Sequence, residues 1–572
     1  MKTIFNIAIS IALGCSCASC SDFLNLTPYS EITAENFYQN EEDFRQAVNG
    51  AYEPLRNMYN TEEWNLGEAK SDNTTYIIHI AKSSLDGEDP DQFLETSTNG
   101  NVGTKYNNCY VIIGRCNRII SEIDQADFDA EAKNNLKGQA LFLRAFSYFN
   151  LVQYFGGVPL HTTPSTVYEE AFKPRASVDE VYEQIIKDAQ EASDLLPVKS
   201  RQEVGRASKG SAQTLLGNVY MVLKRWAETE QTLKEVVSSG EYELLADYGS
   251  IYSISNKNHK ESIFEIQYMQ DASLGQQSDF IYRFLPYMTN PSAITGTTPN
   301  PCPSNVDHGG FNTPTIDLIN AYEKGDKRLD ASIGMVEGKL TDSYALDATG
   351  VKSIVDYEPA PGITAYPFIK KYFHEHIKPY YTDDNWPVYR YAEVLLFLAE
   401  AINEQNRPDE AIHYLNNTFG QASIRGRAGL APVKSQNVDA LRESIYQERR
   451  IELAFENKRW TDLLRTGRAV EVMTRHGQKI KANPESYYWP DGVQPVANAY
   501  LFNPDKCLLP IPLREIDLNS ELKQILTKLF LYSHHEKSTY ENPAKFTMLC
   551  RCIHPISTKS LFQRKRFMAS KE

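Results

Sequence analysis

Apolar residues recur every three to four positions through most of residues 41–240, the spacing of helices with one covered face. Leu141, Ala145, Tyr148, Phe149 and Val152 form one such stripe. Gly156, Gly157 and Pro159 follow at once and predict its end. Further on, Leu216-Gly217-x-x-Tyr220 fits the core of a tetratricopeptide helix, with Trp226 opening the turn into its partner. A second hairpin is predicted near residue 400. Leu398, Ala399 and Ile402 line its first helix, Ala411 and Leu415 its second, and Asn406-Arg407-Pro408-Asp409 breaks between them. The small side chains of Ala399 and Ala411 favour close approach of the two helices.

Between these hairpins the pattern changes. Residues 241–385 are rich in Gly, Pro, Ser, Thr and Asn, as in TNPSAITGTTPNPCPSNVDHGGF, and keep no long helical period. Loops of that length in a compact protein usually carry function. The expected fold class is therefore mainly α: a tetratricopeptide-like helical hairpin scaffold at 41–240 and 386–524, interrupted by an irregular, loop-rich insertion at 241–385.

The chain opens with Met1-Lys2-Thr3 and an apolar run from Ile4 to Leu13, which predicts a secretory signal too short to span a bilayer. Ala18-Ser19 supply the small residues a cleavage needs, so residues 1–19 leave and Cys20 becomes the acceptor for lipid, ahead of Cys15 and Cys17. Each buried methylene contributes about 0.8 kcal/mol, so two or three acyl chains hold a protein on a membrane where one does not. An ordinary signal peptide with an incidental cysteine is the plainer alternative. The polar stretch at 20–40, with Pro28, suits a tether.

A net charge of −15 argues against nucleic acid as a partner, since phosphate binding needs a basic face. Cys109 and Cys116 fall on one predicted helix about 10 Å apart, too far for a disulfide. Nothing in the cysteine spacing indicates a disulfide framework, and the core is expected to hold the fold.

Several blocks together resemble the SusD/RagB family: Cys20-Ser21-Asp22-Phe23-Leu24 with Thr27-Pro28, Phe37-Tyr38, ALFLRAFSYFNLVQYFGGVPL, PVYRYAEVLLFLAEAIN, IRGRAGL, IYQERRIELAFENKRWTDLLRTG and CLLPIPLREIDLN. They occur in the family's order over roughly 500 residues. The resemblance implies a surface lipoprotein that sits as a lid on a SusC-like TonB-dependent barrel of the outer membrane. It also implies capture of a glycan, or in some branches a peptide, without bond breaking and without a cofactor. A protein-only adaptor is a further reading of the helical hairpins.

Sugar capture needs aromatic faces for C–H stacking and polar groups for hydroxyls. EEWNLGEAKSDNTTY offers Trp64, Asp72, Asn73 and Tyr76, with the polar stretch 86–103 as a rim. The same stretch is a family-like block, so Asp72 and Asn73 also read as residues that hold the fold. Tyr282 and Tyr287 lie beside the insertion's polar loop, with Phe284 and Phe311 nearer a packing role. Tyr487-Tyr488-Trp489 makes another platform, with Trp489 as its candidate contact. Trp226, Trp386 and Trp460 fall in scaffold blocks and predict packing, as do Phe455, Arg459 and Asp462. Glu448, Arg449, Arg450 and Glu452 form a charge cluster expected to pair within itself.

Enzyme motifs are missing from the sequence: there is no H-E-x-x-H, P-loop, G-x-S-x-G or dinucleotide fingerprint. His374-Glu375-His376 places two imidazoles on one face if the segment is a strand, a weak metal pattern. Paired carboxylates for glycoside hydrolysis leave no sequence signature. The tail at 525–572 carries nine Lys or Arg against three Asp or Glu. It reads either as a basic arm or, preferably, as residues appended by a reading-frame change near Gln524, which predicts disorder there.

Overall fold

A computed structural model describes residues 37–79, 85–165, 167–270, 275–296, 309–342, 344–376 and 381–524. The signal peptide, Cys20, most of the tether and the basic tail lie outside the described residues.

Long helices dominate, several of them started by a local signal. Helix α1 (Glu41–Asn60) begins with Asn40, whose side chain accepts from the N–H groups of Glu42 and Asp43 while Asp43 caps back. Helix α2 (Gly100–Glu122) is capped by Asn99, α3 (Ala130–Phe155) by Asp129 and α4 (Val178–Leu195) by Ser177. Helices α5 (Lys209–Val222) and α6 (Trp226–Ser238) form the hairpin expected from the Leu-Gly-x-x-Tyr pattern. A Cβ at Gly217 would run into the Leu233 side chain, so glycine sets how closely α5 and α6 approach.

Helix α3 ends at Phe155, where Gly156 takes φ 69°. It is covered on more faces than its stripe predicts: Leu143, Phe146 and Leu151 are buried as well as Leu141 and Tyr148. A helix hydrophobic all round belongs in the middle of the layer, and α3 packs on α1, α2 and α4. Arg144 crosses from it to Asp188 on α4 through two hydrogen bonds of 2.7 Å.

Helix α7 (Tyr391–Glu404) and α8 (Pro408–Leu415) form the second hairpin, with Pro408 in the first turn of α8. Ala399 and Ala411 are fully buried. Helix α7 also packs on α6 and on α9 (Val438–Glu452). The helical layer is thus continuous in space although the chain leaves it between α6 and α7. Helix α10 (Ala469–Ala482) completes the long helices. Among the described residues none is long and apolar enough to cross a membrane.

The excursion is more regular than its composition suggests. Strand β1 (Ser262–Ile266) pairs antiparallel with β5 (Trp386–Arg390), and every residue of both is buried. Strands β2 (Ile333–Leu340), β3 (Leu346–Ser353) and β4 (Thr364–Ile369) form an antiparallel sheet in the order β3-β2-β4. Val336, Leu346 and Phe368 join Leu285, Met288 and Ile294 in a small apolar cluster of their own. The loop-rich insertion thus carries a few paired strands among its loops. Strand β3 reads LDATGVKS, with Gly and charges where alternation is sought, so pairing rather than propensity makes it a strand.

A buried ion network ties this excursion to the scaffold. Arg390, at the end of β5, reaches Glu261 at 2.5 Å and Glu456 at 2.7 Å. Arg427 bridges Glu261 and Glu452, each at 2.5 Å. Arg328 meets Asp326 at 2.8 Å and Glu448 at 2.5 Å, and Lys371 meets Glu456 at 2.7 Å. Glu448 and Glu452 therefore pair with partners far along the chain, not within their own cluster as the spacing suggested. The reason is geometric: α9 turns both carboxylates inward, where Arg328, Arg390 and Arg427 converge. Burial alone would raise the Glu456 carboxyl, but Arg390 and Lys371 outweigh it and hold it down to about 2.

Two outcomes follow from this packing. Gly217→Val should lower unfolding stability by about 1–3 kcal/mol, read from the denaturant midpoint, because α6 must be pushed away. An unchanged midpoint would remove Gly217 as the spacer. Glu452→Ala should cost about 3–5 kcal/mol by removing a buried carboxylate that Arg328, Arg390 and Arg427 share. In the unaltered chain, Glu456 contributes stability above its ordinary value of 4.5 that fades as pH falls toward about 2. Acid unfolding followed by circular dichroism checks that direction.

Candidate functional site

Residues 62–79 run from the core to an edge of the protein, and a series of aromatic rings follows them. Trp64 lies in a short helix, Glu62–Leu66, and donates its indole N–H to the Asn60 carbonyl at 2.8 Å. It stands edge-on to Phe284 at 5.2 Å and tilted against Phe311 at 5.6 Å. Tyr76 meets Phe311 at 4.7 Å and His79 at 6.0 Å, and His79 meets Tyr287 at 5.1 Å. Tyr287 is half-buried, so the series begins in the core and ends at solvent.

Backbone pairing fixes this edge. Ile77 donates to the Gly310 carbonyl at 2.8 Å, and Gly310 donates to Leu285 at 2.7 Å. Gly309 takes φ 131°, and a Cβ there would come within 2.7 Å of the Leu285 oxygen and the Tyr287 nitrogen. Only glycine lets the three segments lie this close. On the other side, Ile78 donates to the Tyr488 carbonyl at 3.4 Å, and Tyr488 sits 6.0 Å from Tyr366 of β4. Tyr488 donates its hydroxyl to Pro314 at 2.7 Å, which holds its ring in place. Half-buried tyrosines at 287, 366 and 488 thus gather around residues 77–79. Such rings present a face to stack on and a hydroxyl to hydrogen-bond.

The sequence candidates divide on this geometry. Trp64 is only 1% exposed, so its ring packs the core and has no face for a ligand. Tyr76 is buried in the same run, behind His79. Asp72 accepts from Arg459 at 2.7 Å and pairs with Arg450 at 3.0 Å. Burial alone would raise its carboxyl, but the two guanidinium groups hold it well below the usual range. Asn73 donates to Glu68 at 3.1 Å and accepts from Arg450 at 2.8 Å. Both residues fasten residues 68–73 to α9 and the chain after it, the fold-holding role of a family block. Tyr282 is buried, its hydroxyl 2.5 Å from the His376 ring. Trp489 is buried against Tyr500 at 6.3 Å. Of the named candidates, Tyr287 alone stands at the rim.

His374 and His376 do not lie on a strand. His374 pairs with Asp384 at 3.1 Å, and His376 bonds to the His374 carbonyl at 3.0 Å. Among the described residues no group of three or more ligating side chains is placed for a metal. Trp386 and Trp460 are buried and Trp226 packs on the core, as their scaffold blocks predict. His79 and Tyr366 are contributors that sequence reading passed over. The alternation in TAYPFI was the available signal for Tyr366, and none marked His79.

Known proteins of the same build exist. Residues 260–527 match the SusD family, and residues 22–221 match a family described as starch-binding, associating with outer membrane. SusD-like protein P38 of Formosa agariphila is 28% identical over 495 residues, covering 83% of this chain and 94% of that protein. A SusD superfamily structure from Parabacteroides distasonis superposes with a TM-score of 0.67 at 26% identity, covering 87% of this chain and all of that one. A laminarin-binding SusD-like protein superposes with a TM-score of 0.63 at 24% identity, over 85% and 99% of the two chains. With the helical layer and excursion described above, this chain belongs to the SusD family.

Trp64→Ala should therefore act on folding. A cost of about 3–5 kcal/mol in unfolding free energy is expected from the cavity it leaves. A variant with unchanged stability would return Trp64 to the list of ligand contacts.

Proposed function

We propose that this protein is a lipid-anchored outer-membrane receptor, facing the cell exterior, that captures a glycan and passes it to a SusC-like TonB-dependent barrel. The observation that carries the reading is the gathering of half-buried tyrosines 287, 366 and 488 on paired backbone. Stacking on a sugar ring loses little entropy when the aromatic faces are already fixed. Family membership and a laminarin-binding neighbour of the same fold support a ligand of this class. Cys20 at the head of a polar tether supports the anchor. The mechanism is binding by stacking and hydroxyl hydrogen bonds, then release to the barrel, with no covalent step and no cofactor.

Isothermal titration of the full chain against a glycan panel that includes laminarin tests this reading. Saturable binding is expected to at least one member. Tyr287→Ala and Tyr366→Ala should each weaken it by about 1–2 kcal/mol, roughly 5- to 30-fold, with unchanged melting. No binding across the panel, or binding that neither variant disturbs, would sink the proposal.

A further inference from the structure

A second concavity lies away from the tyrosine rim, between α9 and α10. Tyr446, Gln447 and Arg450 recur at helical spacing on α9, and Val472, Arg475, His476 and Lys479 do so on α10. Together with Arg468, and with Arg459 at the head of the short helix Arg459–Arg465, they line a cavity of about 280 Å³. Ligand pockets commonly start at about 300 Å³, so this one suits a single ring or head group.

Its charge runs against the rest of the chain. The net charge of the protein is −15, yet five Arg or Lys side chains line the cavity against three carboxylates. Arg475 reaches Glu471, outside the lining, at 3.7 Å, so the excess of cation rests on the two arginines at Asp72. Arg450 and Arg459 share the one carboxylate of Asp72. Arg450 bonds through Nε and Nη2, and so does Arg459, which leaves each Nη1 without a hydrogen bond among the described residues. Arg468 pairs with Glu443 at 3.0 Å and lies over the Tyr446 ring at 5.2 Å. Lys479 pairs with Asp317.

His476 adds an independent sign. It is 3% exposed, and its Nδ1 has no hydrogen-bond partner among the described residues. Burial pushes the imidazole down to about 4, so at neutral pH it is an uncharged ring at the cavity wall. A buried polar atom left without a partner is a place where a ligand or a water can complete the bonding.

We propose that this pocket binds the carboxylate or sulfate group of an acidic sugar. Guanidinium groups supply planar, paired donors that match an oxyanion, and the amide of Gln447 in the lining can hydrogen-bond a sugar hydroxyl. The sugar part of this assignment rests on the glycan reading above; the anion part rests on the pocket alone.

Calorimetry on the full chain at low salt tests it with D-glucuronate, D-glucose 6-sulfate, inorganic sulfate and D-glucose. Saturable binding is expected for glucuronate or glucose 6-sulfate and none for glucose. Arg450 and Arg459 hold the fold through Asp72, so the variant is R468Q/K479Q, at partly exposed positions. It should weaken the anion by about 10-fold or more, the worth of a charge-assisted hydrogen bond, at unchanged melting temperature. Protection of arginines from phenylglyoxal by the bound sugar gives a second readout that needs no variant. Absence of binding by either acidic sugar overturns the proposal, as does binding shared by glucose or undiminished in R468Q/K479Q. Binding of sulfate alone leaves an inorganic-anion site and overturns the sugar assignment. Laminarin titrated into the same unaltered chain reports on the tyrosine rim separately, so failure at one site is not failure at the other.

Discussion

The rest of the structure depends on the meeting of Arg328, Arg390 and Arg427 with Glu261, Glu448, Glu452 and Glu456, almost entirely out of water. Desolvating so many charges is expensive, and the Coulomb gain offsets it only when every partner arrives in place. Two of the carboxylates sit on α9, and Glu456 follows a few residues later. Arg328, Lys371 and Glu261 come from the excursion between α6 and α7. The network therefore ties the excursion to one arrangement on the helical layer. Most alternative dockings would strand a buried charge.

That constraint accompanies an aromatic edge made of short, weakly predisposed segments. Residues 77–79, 285–287 and 309–311 have little regular structure of their own, and Tyr366 joins them from β4. The three segments are held by backbone pairing to one another and by an aromatic series that reaches back to Trp64 in the core. Buried Trp64 and half-buried Tyr287 thus belong to one construction: the inner rings give the outer ones a fixed position. Rigid placement matters for stacking, because a mobile ring would lose on binding the freedom it kept when free.

Asp72 links the cationic pocket to the segment that runs to the tyrosine rim. Its carboxylate holds Arg450 and Arg459 in the wall of the cationic pocket, while Asn73 beside it leads through Thr74 and Thr75 toward the tyrosine rim. Two arginines on one carboxylate make a stable joint and leave positive charge over. A protein of strongly acidic overall charge keeps such an excess only where the fold concentrates it.

Much of the helical part was legible from local pattern. The stripe at Leu141 to Val152, the breaks at Gly156 and Pro408 and the Leu-Gly-x-x-Tyr hairpin follow from spacing and side-chain size. Those are near-neighbour effects, carried by a few residues of chain. The sheet in the excursion was not legible, because LDATGVKS becomes a strand only through its partner. Trp64 illustrates the same limit at a site: a tryptophan in a polar stretch suggests a surface platform, and only Phe284 and Phe311, more than 200 residues away, close it off. The pairing of Glu452 with Arg390 and Arg427, and the sharing of Asp72 by Arg450 and Arg459, likewise exist only once distant segments meet. By itself the sequence determined which segments are helical, where they stop and which family they resemble. Tertiary structure decided which aromatic rings face solvent and where positive charge is left over, since burial and charge pairing are set by neighbours in space.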